Sequence, residues 1–184
     1  MLAKTYHRLW LLLGDTVFHS YYRECVVDLG LGGNEKAMDF GCGPGLVSLY
    51  FAERLPRGHL TCVDASATAI ESARARLHGF SNVDFVCGDI READLESDSY
   101  DVIFLNFVYY HIKPSSRVAV LEELARLTRP GGRLVVRTAI GGRSGLSPEK
   151  IREEMHAAGF SESRFQVVRL LRLIPTYIGV FQVY

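Results

Sequence analysis

The sequence predicts an α/β fold, built on a mostly parallel β-sheet that is covered by helices on both faces. After residue 35, short apolar runs alternate with stretches of helical periodicity, which is the pattern of repeated βαβ units. Several of these runs are apolar at nearly every position, as in strands that are buried on both faces. The last two runs have no helix between them, so we expect an antiparallel hairpin at one edge of the sheet.

Local signals set the bounds of several elements. Pro130-Gly131-Gly132 stops one helix before the strand that follows it. Ser147 and Pro148 suit the N-cap and first turn of another helix, and Gly159 suits its C-terminal end. In chain order, the patterns predict strands at 37–40, 59–64, 83–87, 100–107, 133–140, 164–173 and 177–184, and helices at 46–55, 66–78, 117–128 and 148–158.

Residues 1–35 precede the first strand, and we expect them to form a helical cover segment over a single domain at 36–184. The apolar run at 9–13 is much shorter than the roughly 20 residues of a membrane span, and no cleavage-site pattern follows it. Apolar side chains at helical spacing form one face of the segment. The residues on that face are Tyr6, Leu9, Trp10, Leu13 and Val17.

Composition and charge limit the classes of protein to which this chain can belong. The 184 residues are 48% hydrophobic, which is enough for one packed core. The chain has 21 basic and 21 acidic residues and therefore lacks the basic excess of a typical nucleic-acid binder. The balance is uneven, because residues 129–184 carry nine basic and four acidic side chains. Two interpretations of this asymmetry remain. The charges are scattered over solvated faces, or they form a weakly electropositive surface for an acidic substrate or an anionic lipid.

The four cysteines, at positions 25, 42, 62 and 87, show neither paired spacing nor metal-ligand spacing. Paired disulfides are therefore not expected. Thiols that stay reduced favour a cytoplasmic protein.

The strongest motif is the glycine-rich loop Asp39-Phe40-Gly41-Cys42-Gly43-Pro44-Gly45, between a strand and a helix. Such a loop lets a ligand approach the backbone at the carboxyl edge of the sheet. A dinucleotide fingerprint needs a glycine where Leu46 stands, and the carboxylate of Asp39 would repel a pyrophosphate. A cationic ligand with a sulfonium and an ammonium group is favoured over a nicotinamide dinucleotide.

Two further acids follow the next two strands. Asp64 is placed to accept hydrogen bonds from ribose hydroxyls, and its alternative role is to cap the helix that begins near Ser66. Asp89 follows the third strand, where a carboxylate can accept from the amino group of an adenine.

The series AMDFGCGPG, TCVDAS, CGDI, YDVIFLNFVYYHI and LARLTRPGGRLVVRTA resembles the class I S-adenosylmethionine-dependent methyltransferases from about residue 37 to 139. The resemblance implies a Rossmann-like, doubly wound sheet of seven strands, mostly parallel with a reversed edge strand. It also implies S-adenosylmethionine as cofactor. The loop after the fourth strand offers too few acids for a catechol-type metal site, so a metal-independent reaction is favoured. The residues that would bind this cofactor are Asp39, Gly41, Cys42, Gly43, Gly45, Asp64, Ala65, Asp89, Ile90 and Asn106.

The methyl acceptor should meet the residues just after the fourth strand. His111 is the expected general base, and its alternative role is to pack at the entry of the next helix. Tyr109 and Tyr110 are candidate catalytic or wall residues. The aromatic entrance favours a small or amphipathic acceptor, such as a quinone-like, lipid or aromatic molecule. The first alternative is a methyltransferase that acts on a protein or an RNA. A less favoured alternative is a nicotinamide-dependent oxidoreductase. The sequence is compatible with peripheral membrane contact. It is also compatible with either a monomer or a homodimer.

Overall fold

A computed structural model describes residues 19–170 and 174–184, apart from the side chain at position 143. The apolar face predicted within residues 1–18 lies outside the described residues. The helices are α1 (His19–Val27), α2 (Leu46–Arg54), α3 (Ala67–Arg76), α4 (Arg117–Leu127) and α5 (Pro148–Ala157). The strands are β1 (Lys36–Phe40), β2 (His59–Asp64), β3 (Val83–Cys87), β4 (Tyr100–Asn106), β5 (Thr128–Ala139), β6 (Phe160–Leu170) and β7 (Ile174–Val183).

The seven strands form one sheet in the order β3-β2-β1-β4-β5-β7-β6. Strands β1 to β5 pair in parallel, and β7 pairs antiparallel to both β5 and β6. The doubly wound, mostly parallel sheet is therefore confirmed. The reversed strand is the last in the chain, as expected, but it lies one place in from the edge. The crossover through α5 leaves a gap one strand wide beside β5, and β7 fills that gap.

Alternate residues of the strands face two separate hydrophobic cores. Ala37 of β1 belongs to the core beneath α1, α2 and α3, whereas Met38 belongs to the core beneath α4 and α5. Both side chains are fully buried. Helices on both faces explain why the central strands are apolar at successive positions. Cys62 is buried in this way, but Cys87 is exposed because β3 is an edge strand.

Strand β5 begins at Thr128, five positions earlier than the sequence predicts. Thr128 pairs with Tyr100, and the next pair joins Arg133 to Val102, so the Pro-Gly-Gly turn forms a bulge within the strand. A Cβ on Gly132 would lie 2.7 Å from the carbonyl oxygen of Tyr100. The glycine is therefore required for the close approach of the two backbones.

Helix α1 packs against α2 and belongs to the core of the domain. Tyr22, Cys25 and Val26 are buried. The ring of Tyr21 lies beneath the guanidinium of Arg137, 5.0 Å from its carbon. The part of the cover segment that the structure describes thus packs on the sheet. None of the described helices is long and apolar enough to cross a membrane.

Candidate cofactor and acceptor site

A cleft of about 640 Å³ lies at the carboxyl ends of the first four strands. The chain proceeds from β1 outward to β2 and β3, and then crosses to the other side of β1 to form β4. Ligands of open α/β sheets bind at such a reversal of strand order. The cleft is lined by the loops that follow these strands and by the start of α4: Phe40, Gly41, Val63, Asp64, Ala65, Gly88, Asp89, Ile90, Arg91, Phe107, Val108, His111, Ile112, Lys113, Ser116 and Val120.

The three loop glycines have positive φ angles and three different surroundings. A Cβ on Gly41 would lie 2.3 Å from a methyl carbon of Val108, so this glycine lets the loop after β4 approach closely. A Cβ on Gly45 would lie 3.1 Å from the Cα of Ala73, so this glycine lets α2 pack on α3. A Cβ on Gly43 would meet no described atom within 4 Å. Gly43 therefore leaves space beside its Cα, although it is not among the residues that line the cleft.

Asp64 lies in the cleft wall, and its carboxylate is fixed by two backbone amides. The N–H of Gly43 donates to Oδ2 at 2.8 Å, and the N–H of Ser66 donates to Oδ1 at 2.9 Å. Ser66 itself caps α3, since its hydroxyl accepts from the N–H of Ala69. Each oxygen of Asp64 can accept a further hydrogen bond, so the carboxylate is held in place and keeps room for two hydroxyl donors.

Asp89 and Ile90 lie in the cleft wall at the end of β3, as the sequence predicts for residues beside an adenine. Arg91, which the sequence patterns do not single out, donates from its backbone N–H and its Nε to Oδ1 of Asp89 at 3.0 and 2.9 Å. These bonds lower the pKa of Asp89 to about 2. An adenine amino group would therefore share this carboxylate with the guanidinium. The sequence signal that could have identified Arg91 is its charge, two positions after Asp89.

Asp39 lies behind the glycine loop, outside the residues that line the cleft. The side chain is only 2% exposed, and Oδ2 accepts from the hydroxyl of Ser48 in α2 at 2.6 Å. Burial, together with the nearby negative charge of Asp64, raises the pKa of Asp39 to about 7. A positive charge placed near this carboxyl would favour its ionised form. Of the other loop residues, Cys42 is buried and Ala65 lies in the cleft wall.

The end of β4 carries an unpartnered acceptor and an unusual backbone conformation. Oδ1 of Asn106 is buried and has no hydrogen-bond partner among the described residues. Phe107 has a φ of 56°, a left-handed conformation that is costly for a bulky residue. Its N–H donates to the carbonyl of Arg137 at 2.8 Å, which holds this conformation in place. Phe107 lines the cleft, and the sequence carried no signal for its geometry.

The three residues that were predicted to be catalytic have different surroundings in the structure. His111 lines the cleft, and partial burial lowers its pKa below the ordinary 6.5. Tyr109 is fully buried, its hydroxyl donates to Glu154 of α5, and it is not among the residues that line the cleft, so its catalytic role stays a prediction that this position does not favour. The guanidinium of Arg117 lies over its ring, 5.4 Å from the centroid. Tyr110 packs against His111, with centroids 4.2 Å apart, and is not part of the cleft wall.

These residues fit a cationic nucleoside cofactor. The buried oxygen of Asn106 needs a donor, Asp64 can accept two hydroxyls, and Gly43 and Gly88 leave space beside their backbones. No group of three or more metal-binding side chains occurs among the described residues. The fold and this site define an α/β domain that binds a nucleoside-containing ligand.

A family model described as a methyltransferase domain matches residues 37–132, just over half of the chain. The chain therefore belongs to the class I S-adenosylmethionine-dependent methyltransferases. The match spans the strands and loops that build the cleft, from β1 to the turn before the main part of β5.

Known proteins of this family are similar along most of the chain. A carboxy-S-adenosyl-L-methionine synthase from Hydrogenovibrio crunogenus is 30% identical over 70% of this chain and 54% of its own. A demethylmenaquinone methyltransferase from Staphylococcus aureus is 28% identical over 73% of this chain and 55% of its own. The chain thus spans about half the length of these curated relatives.

Among solved structures, a TehB-like SAM-dependent methyltransferase from Corynebacterium glutamicum superimposes with a TM-score of 0.80. It is 20% identical, and the alignment covers 98% of this chain and 97% of the other. At this identity the similarity establishes the fold.

Proposed function

We propose that this protein transfers the methyl group of S-adenosylmethionine to a small or amphipathic acceptor without a metal ion. One observation carries the proposal. Gly41 of the glycine loop, Asp64, Asp89 and His111 line the same cleft. The first three suit the cofactor, and the fourth is placed for the acceptor.

For the cofactor, we assign the ribose hydroxyls to Asp64 and the adenine to Asp89 and Ile90. The buried oxygen of Asn106 would accept from the ammonium group of the methionine portion. The backbone at Gly43 would lie against that portion, where the loop leaves space. The cofactor supplies an activated methyl group on a good leaving group, and the protein supplies orientation.

For the acceptor, the cleft offers a mainly apolar wall built from Phe107, Val108, Ile112 and Val120. This wall suits an aromatic or quinone-like molecule, and the demethylmenaquinone methyltransferase is a relative with a quinone-type substrate in its name. A lone pair of the acceptor forms the new bond to the methyl carbon, and the electrons of the broken C–S bond stay on sulfur. The imidazole of His111 takes the proton that an acceptor hydroxyl or amine loses.

The lowered pKa of His111 suits this role. The imidazole is unprotonated at neutral pH and can accept a proton there. We also propose a cytoplasmic location, because the four cysteines have no disulfide partner and would stay reduced there.

The test is a screen for release of S-adenosylhomocysteine across pooled quinones, phenols and lipids. We expect release with at least one pool, and a loss of about 100-fold in kcat for His111→Ala, the usual contribution of a general base. The matched control is His78→Ala, which should keep full activity, because His78 is exposed in the turn after α3, where its Nδ1 lies 3.0 Å from the carbonyl oxygen of Ala75. Release with no pool, although the protein binds the cofactor, would count against a small acceptor. Equal activity of the two variants would exclude His111 as the base.

A further inference from the structure

A second concave region shares no lining residue with the cofactor cleft, although the two adjoin where the carbonyl of Arg137 accepts from the N–H of Phe107. It is a groove of about 400 Å³ on the sheet face that carries α1, between that helix and the outer strands. Three arginines line it: Arg133 and Arg137 of β5 and Arg164 of β6. They belong to the basic C-terminal part of the sequence, which the proposed function leaves unexplained.

Sheet register explains why these arginines meet. Residues 133, 135 and 137 of β5 alternate onto the same face of the sheet. Val135 pairs with Val180 of β7, which pairs in turn with Arg164 of β6. The arginines therefore surround an apolar floor made of β5 and β7 residues.

The described residues do not neutralise the charge of the groove. None of the three arginines forms an ion pair with a described residue, and Asp28 is the only acid in the lining. The thiol of Cys25 also lines the groove, and burial raises its pKa to about 11, so it adds no negative charge at neutral pH. The lining therefore carries a net charge of about +2.

Arg137 gives the second, independent observation. Its side chain is only 8% exposed, and its Nε is buried without a hydrogen-bond partner among the described residues. A buried guanidinium donor without an acceptor is costly, and a bound oxyanion would remove that cost. The ring of Tyr21 supports the guanidinium from one side.

We propose that this groove is a binding site for a soluble anion that carries a phosphate or carboxylate group on an apolar body. The oxyanion is held by Arg137 and Arg164, and the apolar body lies on Val135, Ile178 and Val180. The size of the groove falls within the range of small-molecule sites. The site does not depend on the proposed methyl transfer.

Calorimetry on the full chain tests the proposal, with phenyl phosphate, inorganic phosphate and phenol as probes. Saturating S-adenosylhomocysteine is added to occupy the cofactor cleft. Phenyl phosphate should bind in the millimolar range or tighter, inorganic phosphate about tenfold more weakly, and phenol not measurably. Arg137→Gln should weaken phenyl phosphate binding about tenfold or more. Arg164→Gln changes an exposed side chain, keeps the fold, and should weaken binding severalfold.

Two controls separate the groove from other basic sites. Arg57→Gln removes an exposed charge elsewhere on the protein, and Lys113→Gln removes the lysine of the cofactor cleft; both should bind phenyl phosphate like the wild type. The proposal is overturned if the wild type does not bind phenyl phosphate at about 10 mM. It is equally overturned if phenyl phosphate binding survives in both groove variants, or if a control variant loses as much affinity as they do. Binding of the protein to vesicles of anionic lipid, but to none of the soluble anions, would also overturn it.

Discussion

At the scale of single residues, the site combines side chains that are held by the protein with others that lack a partner. The carboxylate of Asp64 is fixed by two backbone amides, whereas Oδ1 of Asn106 is buried without a donor. Asp39 is buried with a single hydroxyl donor, Ser48. Such groups are costly in the ligand-free protein, and a ligand that supplies donors or positive charge gains from them.

The raised pKa of Asp39 leads us to expect that cofactor binding depends on pH. The pKa of this carboxyl is about 7 in the free protein, and the positive charge of a cofactor bound beside the glycine loop would lower it, so binding below pH 7 should release a proton. Affinity for S-adenosylmethionine should therefore rise up to about tenfold per pH unit below pH 7 and level off above it. Calorimetry in two buffers of different ionisation enthalpy measures both the affinity and the proton release.

Asp39→Asn is the matched variant for this prediction. It should bind the cofactor more weakly at pH 8 and release no proton at pH 6.5. The free protein also loses stability as the pH rises from about 4 to 7, because the unfolded carboxyl ionises first. The variant should therefore melt at a higher temperature than the wild type at pH 8. Proton release that persists in the variant would assign it to another group, such as His111.

At the scale of elements, the cleft depends on the close approach of the loop after β1 to the loop after β4. Gly41 and Val108 form this contact. Gly41→Ala should lower the free energy of unfolding by about 2 kcal/mol or more, because the new methyl group overlaps Val108 and the φ of +75° is strained for alanine. Urea unfolding at pH 7 measures the change.

Gly79→Ala is the control, since a Cβ there would meet no described atom within 4 Å and the backbone needs no glycine. Its effect should stay within about 1 kcal/mol. Combining Gly41→Ala with Val108→Ala should cost less than the sum of the two single changes, because the overlap is removed. An effect of Gly41→Ala no larger than that of Gly79→Ala would mean that the two loops are free to separate.

The segment after β4 is held by contacts with a distant helix. Tyr109 donates to Glu154 of α5, and the buried Arg117 lies 3.4 Å from the same carboxylate. Sequence patterns place Tyr109 beside His111 but do not show that it points into the core. That orientation depends on tertiary packing between residues 45 positions apart.

At the scale of the whole molecule, periodicity and turn residues were enough to predict the alternation of strands and helices and the edge that carries the site. Hydrophobic runs and glycines are local signals, so Asp64 and Asp89 could be placed at the ends of β2 and β3 from sequence. The position of β7 inside the sheet, the left-handed Phe107 and the arginine groove depend on register between strands that are distant in the chain. Those features required the structure.

The most direct test of the central claim is calorimetry with S-adenosylhomocysteine on the wild type, Asp64→Ala and Asp84→Ala. Asp84 is an exposed acid of β3 that pairs with His59, so its variant removes the same charge away from the cleft. We expect the wild type and Asp84→Ala to bind alike, and Asp64→Ala to bind at least about tenfold more weakly, since two hydroxyl hydrogen bonds to a carboxylate are lost. Absence of binding by the wild type at about 1 mM ligand, or equal affinity of all three proteins, would contradict the assignment of this cleft to the cofactor.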